Sequence, residues 1–230
     1  MRILFAALRA CVALAIIAAI VGQLVTSVGY WSGKGVTNVG SNIVNFFSFF
    51  TIQSNIVAAV VLLLGSYFLV SRSDSDPQWF QTLRAAAVTY MVVTGIVYNL
   101  LLRGIELPQG ATLGWSNEVL HAVAPAYLLL DWLFSPGREP LGAARITGIL
   151  VYPIVWVVYT LVRGPSVIDQ VFGTDYWYPY PFLNPNTSAE GYFSVAFYVV
   201  LIAAVIGLTA AAVLWISRRR RGATRETRQA

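Results

Sequence analysis

The chain has 230 residues, 57% hydrophobic and 11% charged, with a net charge of +5 and a mean hydropathy of +0.68. A soluble domain carries roughly 25% charged residues to cover its surface. This composition excludes a soluble globular protein and points to an integral membrane one.

Six stretches are apolar over about the 20 residues that a helix needs to cross a bilayer. They predict an all-α, polytopic bundle of six transmembrane helices at 4–29, 43–70, 84–102, 116–134, 144–163 and 191–216. Gly-Lys-Gly at 33–35, Ser-Asp-Ser-Asp-Pro at 73–77, Pro-Gln-Gly at 108–110 and Pro-Gly-Arg-Glu-Pro at 136–140 separate them. Helices are required because lipid offers backbone groups no partner. One six-helix domain, 1–217, is expected, followed by a basic cytoplasmic tail, 218–230, that is short, polar and disordered. No internal repeat suggests an inverted-repeat transporter.

Basic residues orient the bundle. With both termini cytoplasmic, Arg2, Arg9, Arg72, Arg84, Arg138, Arg145, the arginines at 218–221, Arg225 and Arg228 lie inside. Lys34, Arg103 and Arg163 lie outside, so twelve of the fifteen Lys and Arg obey the positive-inside bias. The arginine tail is thus a stop-transfer anchor near anionic lipid rather than a nucleic-acid site. The apolar part of 4–29 is longer than a signal-peptide core and no small-residue cleavage site follows, so it is read as a retained first helix. The expected location is a membrane that the chain crosses several times.

Much chemistry is excluded by counting. Cys11 and His121 are each the sole residue of their kind, so a paired-thiol cycle, a bis-histidine haem and a zinc cluster are not expected. Cys11 reads as a small packing residue. Gly33-Lys34-Gly35 is a flexible loop, not a phosphate cradle. No cofactor, metal or nucleic-acid partner is predicted, and the oligomeric state is left open.

The polar residues of the spans carry the functional signal. At 100° per residue, Ser41, Asn45, Ser48, Thr51 and Asn55 of the second helix fall within an arc of about 120°, and Asn117, His121 and Asp131 of the fourth within about 80°. Such faces turn inward, either as interhelical hydrogen-bond glue or as a site, since an ionisable residue at membrane depth is costly. Thr51 is about 12 Å below the start of its helix and His121 about 8 Å below the start of its own. The two can share a layer if the helices are neighbours. Asp131 is about 15 Å further along and cannot touch His121 in an intact helix; it is expected to pair with Arg84, Arg138 or Arg145. His121 would then take its orientation from Asn117, Glu118, Asn45 or a backbone carbonyl. Ser48 lies one turn above Thr51 on the same face, and helical geometry does not separate the two as nucleophiles.

Phe50-Thr51-Ile52-Gln53-Ser54-Asn55, then Asn117-Glu118-Val119-Leu120-His121 with Pro125 and Asp131, then Tyr152-Pro153 with Trp156, and last Trp177 with Tyr180-Pro181-Phe182-Leu183 follow in order. In that order, over about 5–216, the chain resembles the androgen-induced gene 1 and androgen-dependent TFPI-regulating protein family, as a bacterial member. The resemblance implies a membrane threonine hydrolase acting on fatty acid esters of hydroxy fatty acids or similar lipid esters. It implies Thr51 as nucleophile and His121 as the essential histidine. His121 would take the Thr51 proton, the hydroxyl oxygen would attack the ester, and water would release the acyl group. Asn55, Asn117 or Asn45 would supply an amide N–H to the oxyanion or orient the base. Ser48 remains the alternative nucleophile.

In the fifth helix Tyr152, Trp156, Tyr159 and Arg163 form one stripe. Aromatic residues with polar tips suit a membrane interface and a lipid-shaped pocket alike. The expected substrate pocket comprises Tyr152, Trp156, Arg163, Trp177 and Tyr180, with Arg103 and Arg163 near a fatty-acid carboxylate or simply anchoring helix ends. The loop 164–190 is too aromatic for a solvated linker and is expected to fold back as a lid. Two classes stay open: a threonine-dependent carboxylic ester hydrolase, and a non-enzymatic lipid-binding or small-solute transport protein. A transporter would show broken helices or paired intramembrane charges.

Overall fold

The computed structural model describes residues 1–71 and 76–219; the tail from 220 onward lies outside the described residues. Apolar runs become long helices, and α7 accommodates Pro153 in its interior. α1 spans Arg2–Gly33, α4 Gln78–Val97, α7 Arg145–Arg163 and α8 Tyr192–Arg219. Among the described residues there is no strand, only an isolated bridge between Asp169 and Thr174. Five helices are long and apolar enough to cross a membrane: Arg2–Gly33, Phe50–Ser71, Gln78–Leu102, Arg145–Ser166 and Tyr192–Arg219. This is a helical, multi-pass membrane protein.

Two expected helices are not continuous. The run predicted at 43–70 is α2, Val39–Ser48, and α3, Phe50–Ser71, broken at Phe49, whose backbone is extended (φ −65°, ψ 130°). Side chains from elsewhere satisfy the exposed ends. Trp156 Nε1 donates to Ser48 O (2.9 Å) and Gln53 Nε2 to Phe47 O (2.7 Å). The run predicted at 116–134 is α5, Gly114–Glu118, a π-turn at Val119–Val123, and α6, Ala124–Phe134. It is not among the five apolar spans. Pro125 accounts for the irregularity, because it has no N–H to give the His121 carbonyl. Asn99 Nδ2 donates to His121 O (3.2 Å) and Asn55 Nδ2 to Leu120 O (3.2 Å) in compensation.

α1 packs along α3, and α4 touches α3, α6, α7 and α8, making it the central helix. Exposed Val, Ile, Leu and Phe cover the outer faces of α1, α7 and α8, as a lipid-facing surface requires. The start of α1 and the end of α8 both meet the C-terminal end of α6, α8 through Trp132 Nε1 to Val213 O and, just beyond α6, Leu141 N to Ser217 Oγ. There the Arg9 guanidinium donates to both Asp131 oxygens (2.9 and 3.0 Å), to Ser135 Oγ (2.8 Å) and to Gly65 O (2.9 Å). Arg84 donates to Asp131 Oδ2 (2.9 Å) and to Ser135 Oγ. All three charged residues are at most 3% exposed. Gly65 permits this close approach, since a Cβ there would stand 2.7 Å from Arg9 Nη1. Asp131 thus meets Arg84 but also Arg9, while Arg138 turns to the Trp132 carbonyl.

Candidate active site

At the opposite end, the break at Phe49 and the π-turn bring Thr51 and His121 together. Thr51 stands in the first turn of α3 and His121 in the middle of the π-turn, both buried. Thr51 Oγ1 lies 3.2 Å from His121 Nε2, and His121 Nδ1 lies 2.9 Å from the Asn117 carbonyl. A carbonyl can only accept, so Nδ1 carries the proton and Nε2 offers its lone pair to the threonine hydroxyl. The imidazole is further held by stacking on Tyr98, with ring centroids 3.9 Å apart. Asn117 Nδ2 donates to the Tyr98 hydroxyl and locks that ring in turn. Gly95 on α4 allows the approach from behind: a Cβ there would meet Pro125 Cβ at 3.1 Å and the His121 carbonyl at 3.4 Å.

Tyr180 completes the cluster from the loop between α7 and α8. Pro181 restricts it to extended backbone (φ −136°, ψ 143°), and its ring is seated among Phe49, Trp156 and Phe182. Its hydroxyl lies 3.1 Å from Thr51 N and 3.2 Å from Thr51 Oγ1. Polarity runs one way through these contacts. Thr51 N–H donates to the phenol oxygen, the phenol O–H donates to Thr51 Oγ1, and Thr51 O–H donates to His121. Burial pushes the Tyr180 phenol up, against the pull of its contacts with Thr51, so it remains a neutral donor. The direct contact of this hydroxyl with Thr51 was not legible in the sequence; its Pro-flanked, aromatic setting was the available signal.

The break also divides the polar face expected of one helix. Thr51 and Asn55 turn to the π-turn. Ser48 Oγ donates to Val44 O (2.7 Å) and accepts from Tyr159 (2.9 Å), while Asn45 Oδ1 accepts from Arg163 (2.6 Å). Ser48 and Asn45 are therefore directed to α7 and not to His121. The expected amide donors are engaged otherwise as well. Asn55 Nδ2 donates to the Thr51 and Leu120 carbonyls (2.9 and 3.2 Å), clamping α3 to the π-turn. Asn117 orients His121 through its backbone carbonyl, its side chain being turned to Tyr98.

Two cavities meet at Thr51 and Tyr180. The larger, about 280 Å³, is apolar and lies between α4, α7 and α8, lined by Phe50, Thr94, Tyr98, Pro153, Trp156, Phe182 and Ile206 among others. The smaller, about 40 Å³, is more polar and is bounded by Gln23, Gln109, Thr112, Asn117 and His121. Trp156 and Tyr180 line the large cavity as expected pocket residues, whereas Tyr152, Arg163 and Trp177 do not. Tyr152 donates to Gln53 Oε1, Trp177 packs edge-on against Phe49, and the Arg163 guanidinium sits over Trp177 and Tyr159. Arg103 pairs with Glu118 at the surface (2.7 Å). The loop folds into the bundle mouth: Trp177, Tyr178, Tyr180 and Leu183 are all buried. Among the described residues no His, Cys, Asp and Glu cluster suits a metal ion. No protein-family profile, curated protein or solved structure matches this chain, so its chemistry is read from the residues and their arrangement.

Proposed function

We propose that this protein is an intramembrane hydrolase of lipid esters, with Thr51 as nucleophile and His121 as general base. The observation that carries the reading is the 3.2 Å Thr51–His121 contact, with the tautomer set by Asn117, beside an apolar cavity of about 280 Å³. Threonine is a weak nucleophile and needs such a base. His121 Nε2 accepts the hydroxyl proton as Oγ1 bonds to the ester carbonyl carbon. The leaving alcohol takes that proton when the carbon–oxygen bond breaks, leaving an acyl-threonine. Water, deprotonated by the same nitrogen, then attacks the acyl carbon and frees the fatty acid and the threonine.

The two cavities suit the two halves of this cycle. The large one matches an acyl chain, and its lining from α7 and α8 includes the half-exposed Leu150, Val157 and Ile202, so a lipid enters sideways. The small polar one on the His121 side has room for a water molecule, for which about 10–15 Å³ suffices. The proposal extends to topology: 114–134 serves as a sixth span, shielded by α1 and α4, with both termini on the cytoplasmic side of a bacterial plasma membrane. It also extends to membership of the androgen-induced gene 1 and androgen-dependent TFPI-regulating protein family. The broken α2–α3 helix supports a second reading, since transporters bind solutes at such breaks.

A fluorophosphonate separates the two, because it reacts with an activated hydroxyl and not with a binding site. The wild-type protein in detergent should form an adduct that maps to Thr51 by mass spectrometry. Absence of any adduct on folded protein would leave the binding or transport reading.

A further inference from the structure

The expected amide donors are turned to other partners, yet acyl transfer needs hydrogen-bond donors where negative charge develops. We propose that the Tyr180 hydroxyl, together with the Thr51 backbone N–H, forms the oxyanion site, making Tyr180 a catalytic residue; this rests on the hydrolase reading above. The phenol oxygen is 3.1 Å from Thr51 N and 3.2 Å from Thr51 Oγ1. The oxyanion forms one carbon away from Oγ1. The phenol therefore has to turn its O–H from the threonine oxygen to the substrate oxygen, with its ring held in place by Phe49, Trp156 and Phe182. The Thr51 N–H, released from the phenol oxygen, points to the same spot because Phe49 is unwound and α3 has no preceding turn to occupy that donor.

Proton bookkeeping is closed. His121 carries the threonine proton, and Tyr180 lends a hydrogen bond without losing its own proton. Tyr180 and Thr51 both line both cavities, and the phenol oxygen is in contact with Thr51, where the acyl chain and the attacking water would meet. In the resting state the same O–H holds the nucleophile toward His121, so an oxygen acceptor on the substrate is what frees the threonine to react.

The test uses the full-length protein in detergent with a p-nitrophenyl acyl ester and its thiono counterpart, in which sulfur replaces the carbonyl oxygen and accepts hydrogen bonds poorly. Tyr180→Phe keeps the ring and removes the donor. Its kcat should fall about 10²–10³-fold, the usual effect of deleting one oxyanion donor, with KM changed by less than about threefold. Wild type should strongly prefer the ester over the thiono ester, and that preference should shrink in Tyr180→Phe. A folding defect or a lost brace would lower both substrates together and leave their ratio unchanged; that result overturns the proposal, as does a variant with wild-type kcat. A wild-type protein that hydrolyses the thiono ester as fast as the ester also overturns it, without recourse to the variant. If Tyr180→Phe behaves as wild type while Thr51→Ala is dead, the hydrolase stands and only the oxyanion assignment falls. If wild type neither turns over the ester nor labels, both fall.

Discussion

The two ends of the bundle bury polar groups in opposite ways. At the end near the termini, Arg9, Arg84 and Asp131 are charged, interlocked through Ser135 and closely packed at Gly65. At the other, Thr51, His121 and Tyr180 form a neutral chain of single hydrogen bonds lined up beside two cavities. The charged knot rests on regular helix, whereas the neutral chain is built on a helix break and a π-turn. A buried charge must be matched by its partners or it destabilises the fold, and here the Asp131 carboxylate is held by both guanidinium groups. A reacting group must keep one partner exchangeable for substrate. On the proposed reading, charge density in the membrane marks the brace, and backbone irregularity with a cavity marks the reactive site.

The sharpest break of this contrast is Thr51→Ala or His121→Ala. Either should lower ester hydrolysis and fluorophosphonate labelling by at least about 10³-fold, and the double variant should be no worse, since members of one catalytic unit are not additive. Thermal unfolding in detergent should barely move for Thr51→Ala, and for His121→Ala should fall only by the loss of the Tyr98 stacking. Asp131→Ala should do the reverse by removing the carboxylate that Arg9 and Arg84 share, leaving Arg84 the longer Asp76 contact (3.8 Å) and Arg9 neutral partners, at a cost of about 3–5 kcal/mol. A wild-type melting temperature for Asp131→Ala would remove the structural role assigned to that end.

Gly95→Ala probes the link between the helix irregularity and the chemistry. The new methyl meets Pro125 and the His121 carbonyl, and a misplacement of the base on the order of 1 Å can cost about 10²-fold in rate. Hydrolysis should drop well before stability does; an unaffected rate would show that the π-turn does not position His121. Ser48→Ala should change labelling by less than about twofold, because its hydroxyl faces Val44 and Tyr159. An adduct on Ser48 in the wild-type protein would relocate the nucleophile across the break.

The smallest effect concerns the loop that carries Tyr180. Burial pushes the Asp169 carboxyl up, while the Phe172 and Val171 backbone N–H groups pull it back. A carboxyl whose folded pKa is raised contributes stability that is present below its unfolded pKa and lost as pH rises through the folded value. Asp169→Asn keeps the acceptor without the charge. Its melting temperature should therefore rise slightly relative to wild type between acid and neutral pH, and a gap that closes over that range would contradict the assignment.

The sequence by itself determined the helical membrane class, the approximate positions of five spans and the candidate status of Thr51, His121 and Asp131. Those follow from hydropathy averaged over about twenty residues and from the cost of single polar groups in lipid, both properties of local stretches. Tertiary structure decided the rest. Nothing in Asn45-Phe46-Phe47-Ser48-Phe49-Phe50 is a helix breaker, and a continuous helix would keep Ser48 and Thr51 on one face. The break is sustained because Trp156 and Gln53 donate to the orphaned Ser48 and Phe47 carbonyls and Tyr180 accepts from the Thr51 N–H, and two of these three lie more than a hundred residues away in the chain. Pro125 was visible as a disturbance, but where its freed carbonyl would go depended on Asn99 of another helix. Arg9 read as one more basic residue near the N-terminus until Asp131 and Gly65 met it. In lipid every unpaired backbone or charged group must find a partner inside the protein, and which partner is near is a property of the packed bundle, not of the chain.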